Sequence, residues 1–357
     1  MVSVVHILPS LALGGAERVT IELARMQKDQ GLDVSILSLG IHQDFLVETV
    51  RAAGIPLTVC GAAMGRLRRY RCILAAVRHH DVAHIHSPRG LRYLAPLIPF
   101  FGSRKIVYTR HGLDPLNSPS WRLLHILVRP FIDFITFVTE SSHDVFTQNH
   151  HWPQHKLVVI TNGVPVPDVV KGMPEKPIRL GSVGRMVGLK GQSILLDAIS
   201  LLAQEYGDAA PRQFKLKFFG AGPLENDLRD QARGIGDGLV EFCGEVQDLE
   251  EIYDNLDVIV VASESEGLSM VIIEAMARGL PAIATDVGGN PTLVRHHKTG
   301  LLVPYGSADA LAQAIRELLD DVEKIERYGT AAQTMIEREF SLERTHRAYL
   351  QIYQSGQ

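Results

Sequence analysis

Two doubly wound α/β domains, each built on a mostly parallel sheet, are what this sequence predicts. Short runs rich in branched apolar residues alternate with helical stretches over almost the whole chain. The alternation breaks once, near the middle, at a proline-rich segment. A length of 357 residues is long for one ordinary core and comfortable for two.

The first half supplies seven candidate strands, at residues 2–8, 34–39, 57–60, 82–86, 105–109, 135–139 and 157–161. Between the first two, residues 16–27 have helical spacing through Val19, Leu23 and Met26, and Gly31 can cap that helix. Residues 164–177 then change texture, with Pro165, Pro167, Pro174 and Pro177 among Gly172 and several charges. Six more candidate strands follow, at 179–183, 215–219, 240–243, 258–262, 282–285 and 301–303, with helices such as 193–204 and 269–278 between them. The expected division is therefore residues 1–165, a linker at 166–177, and a second domain at 178–340. The last helix, within 341–357, would cross back onto the first domain. Two such sheets facing each other would make a cleft, because ligands bind at the carboxyl ends of parallel strands.

Composition excludes several classes. Apolar residues at 46% and charged ones at 21% are ordinary for a globular chain, which argues against disorder. Cys60, Cys72 and Cys243 are too few and scattered for a disulfide framework or a zinc site, and each reads as a small core residue. Residues 1–10 lack a basic leader and a cleavage site, and no apolar run is long enough to span a membrane. A cytoplasmic protein is expected. Residues 1–170 hold 17 Lys and Arg against 12 Asp and Glu, whereas the remainder holds 19 against 28. That split suggests two bodies with different partners. The basic run Arg66, Arg68, Arg69 and Arg71 opens a helix in the first body and is a candidate contact for anionic headgroups at the inner face of the plasma membrane, or for an acceptor's pyrophosphate.

Missing motifs narrow the chemistry. There is no G-x-G-x-x-G after the first strand, no P-loop, no D-x-D, no H-E-x-x-H and no G-x-S-x-G. Dinucleotide dehydrogenases, P-loop NTPases and nucleophile-elbow hydrolases lose support, and a dedicated divalent site has no sequence basis. What is present sits at strand ends. After the strand ending at Gly184, Arg185 and Lys190 lie five residues apart in a glycine-rich loop that leads into a helix near Gln192. Helix N–H groups with a forked and a point cation suit a diphosphate without a metal. Gly220 and Gly222 would let backbone approach a nucleotide base. In the segment 263–275, Glu274 is a lone acid inside an apolar helix, and ribose hydroxyls would satisfy it. Glu266 would lie about 12 Å away if both acids were helical, roughly the reach across a diphosphate to the sugar. Gly267, Leu268 and Ser269 would present N–H groups between them. The other histidine pairs read as surface or satisfied core.

In order along the chain, Gly14-Gly15-Ala-Glu17, His111 in Tyr-Thr-Arg-His-Gly, Asn162-Gly163-Val164, Gly184-Arg185 with Lys190-Gly191, Gly220-Ala-Gly222, Glu266 with Glu274, Gly279-Leu-Pro281, Val287-Gly-Gly289 and Thr299-Gly300 resemble glycosyltransferase family 4, of the GT-B fold. The resemblance covers nearly the whole chain. It implies a retaining hexosyltransferase that takes a nucleoside-diphosphate sugar, UDP before GDP, to a glycan or lipid-linked acceptor in polysaccharide biosynthesis, with no metal or other cofactor. By the same resemblance Arg185 and Lys190 would hold the diphosphate, Glu274 the ribose and Glu266 the donor sugar. Leu268 and Ser269 would offer backbone donors, Gly15 would lie near phosphate and acceptor, and His111 beside the sugar. One departure stands out: many relatives carry Glu after the second Gly-Gly turn, where this chain reads Gly289-Asn290-Pro291. The competing readings are a nucleotide-sugar epimerase, which would turn over donor alone, and a non-catalytic scaffold, which need not keep Arg185, Lys190, Glu266 and Glu274 together.

Overall fold

The computed structural model describes residues 2–168, 171–246 and 248–355. Positions 169 and 170 of the expected linker, and 356 and 357 of the expected last helix, lie outside the described residues. Two compact units form, one from Met1–Pro165 with Phe340–Gln357, the other from Val166–Glu339.

The first unit is a seven-stranded parallel sheet of β1 (Ser3–Leu8), β2 (Asp33–Ser38), β3 (Leu57–Val59), β4 (Val82–His86), β5 (Lys105–Arg110), β6 (Phe134–Phe137) and β7 (Leu157–Val159). Their spatial order is β3-β2-β1-β4-β5-β6-β7. The second is a six-stranded parallel sheet of β8 (Ile178–Val183), β9 (Phe214–Phe219), β10 (Val240–Gly244), β11 (Val258–Val261), β12 (Ala282–Thr285) and β13 (Gly300–Val303), ordered β10-β9-β8-β11-β12-β13. Each expected run overlaps one of these thirteen strands. The strands read as unbroken apolar runs because helices cover both faces: Val4, Val5 and Ile7 in β1, and Val258, Ile259 and Val260 in β11, are fully buried. Strand order reverses between β1 and β4, and again between β8 and β11. Loops on either side of such a reversal diverge and leave a crevice at the carboxyl ends.

Helix Gly15–Asp29 follows β1 and ends as expected at Gly31, whose φ of +86° lets Leu32 N–H reach the Gln27 carbonyl at 2.9 Å. The last helix, Leu342–Gln354, belongs to the first unit and buries Tyr349 and Tyr353 against Val4 and Val107. Lys105 Nζ caps its carbonyl end, 3.0 Å from Ile352 O and 2.9 Å from Tyr353 O. In the segment expected to be a linker, Pro167 O accepts from Gln333 Nε2 at 3.0 Å and Lys171 Nζ donates to Tyr253 O at 2.6 Å, so both are anchored to the second unit. Burial pushes the Lys171 amine down to about 8.

One expectation is overturned. Cys60 and Cys72 form a disulfide, and only Cys243 is a free thiol. Cys60 follows β3 and Cys72 sits in helix Arg66–Arg78, so the bond staples a strand end to the next helix. A spacing of twelve residues carries no recognisable signature. The pairing arises only once the turn at 61–65 folds the helix back.

Candidate active site

In the second unit the loop after β8 and the loop after β11 meet at the strand-order reversal. The first of these turns through the short 3-10 segment Gly188–Lys190 and enters helix Gln192–Tyr206 at Gly191. Gly191 has φ +62°, and a Cβ there would run into the Ala262 carbonyl. Only glycine lets the two loops approach this closely. Glu264 N–H to Leu189 O at 2.9 Å closes the contact.

Lys190 Nζ then lies 2.7 Å from Glu266 Oε1, and Ser263 Oγ donates to the same oxygen at 2.7 Å. The pair is partly shielded, with Glu266 the less exposed member at 11% of its side chain. A third loop fixes the acid: Gly289 N–H donates to Glu266 O at 3.2 Å, and a Cβ on Gly288 would collide with that carbonyl. Lys190, Ser263 and Glu266 line a recess with Ser182, Gln192 and Ser269. Ser263 escaped the sequence reading because a serine beside two acids carries no signal of its own.

Glu266 is not helical. The helix is Met270–Ala277, with Ser269 as its N-cap, so the assumption that put Glu266 and Glu274 about 12 Å apart fails. Glu274 itself is buried at 6% exposure, and Tyr253 donates to its Oε2 at 2.7 Å. The protein supplies a partner that the sequence left to a ligand. Arg278 stacks over Tyr253 at 5.3 Å from the ring centre.

The other predicted positions sort differently. Arg185 is exposed, with its carbonyl accepting from Gln192 Nε2 at 3.1 Å. Leu268 and Ser269 are buried beneath the loop, next to Gly267. Gly220 and Gly222 approach another protein loop: their missing Cβ atoms would meet Gly184 O and Met186 O, while Met186 N–H donates to Ala221 O at 3.0 Å. Asn290, at the departure from the family pattern, is fully buried and donates to Thr285 O at 2.9 Å.

In the first unit a cavity of about 650 Å³ opens at the β1/β4 reversal, lined by Ser10, Glu17, Arg69, Arg89, Tyr93 and Trp121 among others. Gly15 starts the adjoining helix, with Gly14 as N-cap and Glu17 in its first turn. Burial raises the Glu17 carboxyl above its ordinary value. Arg69, part of the basic run expected to meet anionic headgroups or an acceptor's pyrophosphate, turns inward. Its Nε donates to Cys60 O at 2.6 Å, its Nη2 to Leu39 O at 2.9 Å, and its guanidinium sits 3.9 Å from the Tyr93 ring centre. Arg66, Arg68 and Arg71 remain exposed. The cavity wall is therefore partly built from a side chain that sequence alone assigned to the surface.

His111 follows β5, and its Nε2 lies 3.1 Å from His86 Nδ1. Its own Nδ1 is buried without a hydrogen-bond partner. Burial pulls His111 down to about 4, so the imidazole is neutral near pH 7.

Two parallel, doubly wound sheets are the architecture of the GT-B class of glycosyltransferases. Residues 13–166 match Glycosyltransferase Family 4 and residues 177–321 match Glycosyl transferases group 1, and the chain belongs to this family. It is 28% identical over 290 residues to a GDP-mannose-dependent alpha-(1-6)-phosphatidylinositol monomannoside mannosyltransferase of Mycobacterium tuberculosis, covering 73% of this chain and 72% of that one. It is 28% identical over 258 residues, 71% of this chain, to an exopolysaccharide phosphotransferase of Streptomyces coelicolor, of whose length it spans about a quarter (26%). Among solved structures, Anabaena HepE in complex with UDP and glucose aligns with a TM-score of 0.83 at 21% identity, covering 99% of this chain and all (100%) of that one. No helix among the described residues is long and apolar enough to cross a membrane.

Proposed function

We propose that this glycosyltransferase moves a hexose from a nucleoside-diphosphate sugar, UDP first and GDP second, to a glycan or lipid-linked acceptor with retention of configuration and without a metal. The observation that carries the reading is the Lys190–Glu266–Ser263 cluster at the β8/β11 reversal, with exposed Arg185 on the same loop. Two cations at a helix entrance can neutralise a departing diphosphate, and that electrostatic stabilisation is the main catalytic contribution. Glu266, freed from Lys190 when phosphate arrives, would accept hydroxyls of the donor sugar. Glu274 would turn its carboxylate to the ribose. His111, being neutral, would act toward the sugar as a hydrogen-bonding group and not as a cation. In retention by front-face attack, the acceptor hydroxyl bonds to the anomeric carbon as the C–O bond to diphosphate breaks. The acceptor proton passes to a phosphate oxygen.

The acceptor would occupy the cavity of the first unit, where Tyr93 and Trp121 offer faces for a sugar ring and Arg89 offers charge for a phosphate. An anionic bilayer would meet Arg66, Arg68 and Arg71, and the acid-free helix Pro119–Val128, whose Leu123, Ile126 and Leu127 are exposed beside Arg122. Flotation with phosphatidylglycerol vesicles tests that contact. Binding that ignores lipid charge, or no binding, removes it.

A thermal-shift panel of UDP, GDP, ADP and their sugar derivatives in EDTA tests the donor site. A shift by one nucleotide family without metal supports the reading and names the base. No shift by any of them would sink it.

A further inference from the structure

Three imidazoles, those of His6 and His86 buried and that of His111 partly so, form an end-to-end chain in the first unit. Gln27 Oε1 lies 2.8 Å from His6 Nε2, His6 Nδ1 lies 3.0 Å from His86 Nε2, and His86 Nδ1 lies 3.1 Å from His111 Nε2. His6 and His86 are almost wholly buried, at 0% and 2% exposure, and Gln27 at 0%. No Asp or Glu is a partner in any of these contacts, so nothing in the chain compensates a cation.

Proton counting makes the chain directional. Each of the three contacts needs one hydrogen, and three neutral rings carry one ring N–H apiece. A carbonyl oxygen at the Gln27 end can only accept, so His6 carries its hydrogen on Nε2. His6 Nδ1 is then bare and must accept from His86 Nε2–H. His86 Nδ1 is bare in turn and must accept from His111 Nε2–H. Thr20 does not alter the count, because its hydroxyl donates to Ala16 O at 2.8 Å and the oxygen stands farther from His86 Nδ1, at 3.3 Å. All three hydrogens are consumed inside the chain, and His111 Nδ1, the one ring nitrogen without a partner, is left as a lone pair.

We propose that Gln27, His6 and His86 are positioning residues that fix the tautomer of His111, so that it presents an unprotonated Nδ1 as a hydrogen-bond acceptor for a substrate hydroxyl. A substrate hydroxyl donating to this nitrogen would satisfy the last unpartnered ring nitrogen of the chain; at the other end Gln27 Nε2 is also buried without a partner. The consequence for catalysis rests on the proposed role of His111, whereas the tautomer itself does not.

The same cluster has a second chemistry. The ring nitrogens of His6, His84 and His86 lie within 4.8 Å of one another, close enough for a metal ion. Hydrogen bonding argues against it, since both nitrogens of each ring have partners, those of His84 being Tyr353 OH at 2.7 Å and Thr109 Oγ1 at 2.6 Å.

Long-range proton–nitrogen NMR on the whole chain labelled with ¹⁵N-histidine reads the tautomers directly, with His111→Phe identifying the His111 signals. The expected result at pH 7.5 is hydrogen on Nε2 of His6, His86 and His111. Q27M removes the acceptor that sets the direction and should convert His111 to a tautomer mixture, lowering kcat about 10-fold with donor KM little changed. A hydrogen on His111 Nδ1 in the wild-type chain overturns the proposal, and this measurement needs no variant to fold. An unchanged His111 tautomer in Q27M, or one zinc per purified chain, also overturns it. A His111→Ala variant with normal turnover, beside the expected spectrum, would leave the relay intact and remove the catalytic reading of His111.

Discussion

Lys190 and Glu266 stand 76 residues apart in the chain and 2.7 Å apart in space, each on a loop leaving a strand beside the point where strand order reverses. The pair means that Lys190 is already neutralised within the second unit, with Ser263 sharing the same carboxylate oxygen. A ligand diphosphate would compete for Lys190 and release Glu266 toward the sugar.

On the proposed function, Lys190→Ala should cut kcat by about 100-fold or more, since it would remove charge stabilisation of the leaving group. Stability should fall by about 1 kcal/mol or less, because the pair is part-exposed and Ser263 still holds Glu266. Steady-state kinetics with a urea melt checks both. Unchanged kcat would make the pair structural.

Tyr253→Phe deletes the hydroxyl that donates to Glu274 Oε2. The buried acid loses one hydrogen bond, which costs roughly 1–3 kcal/mol. Nucleotide affinity by calorimetry should weaken about 5-fold, a loss of roughly 1 kcal/mol. Glu274→Ala should weaken it further. Equal affinity in both variants and wild type would separate Glu274 from the ribose.

Gly191→Ala places a methyl group against the Ala262 carbonyl at φ +62°. Strain and overlap together should cost on the order of 2–3 kcal/mol and displace Lys190, lowering both melting temperature and kcat. A variant as stable and active as wild type would mean that the two loops can separate freely.

Burial pulls His6 and His111 from their ordinary 6.5 down to about 4 and His125 to about 3, and also lowers His84 and His86. The unfolded chain binds these protons near pH 6.5 and the folded chain resists them. Stability is thus fully present above about 6.5 and is lost as pH falls toward 4, by about 1.4 kcal/mol per pH unit for each group. Urea midpoints at pH 7.5, 6 and 5 check the slope. His125→Phe should flatten it, and a pH-independent midpoint would contradict the burial of these rings.

Cys72→Ala opens the Cys60–Cys72 loop and should cost about 3 kcal/mol in oxidising buffer, by the chain-entropy argument for a loop of this length. In reductant the wild-type chain should approach the variant. Identical melting curves in oxidising buffer would show that the bond contributes nothing. As Arg69 donates to Cys60 O and lines the cavity, the variant's acceptor KM is also worth measuring.

Much of this molecule is legible from its residues alone. Period and branched composition locate thirteen strands, because a strand buried on both faces must be continuously apolar whatever surrounds it. Glycines at strand ends mark loops that approach something closely, and Gly191 and Gly288 do so. What they approach is not legible: Gly220 and Gly222 make room for a neighbouring loop of the same unit. Likewise Arg69 reads as surface charge until helix Arg66–Arg78 packs back over β3 and gives its guanidinium two carbonyls and a tyrosine face.

The sequence by itself determined the two-sheet architecture and the family, because both depend on local pattern and on motifs in order along the chain. Tertiary structure alone decided the pairings: Lys190 with Glu266, Tyr253 with Glu274, Cys60 with Cys72, and the line from Gln27 through His6 and His86 to His111. Each joins residues on different elements, and a hydrogen bond or disulfide between them requires a distance that only the packing of strands and helices can set.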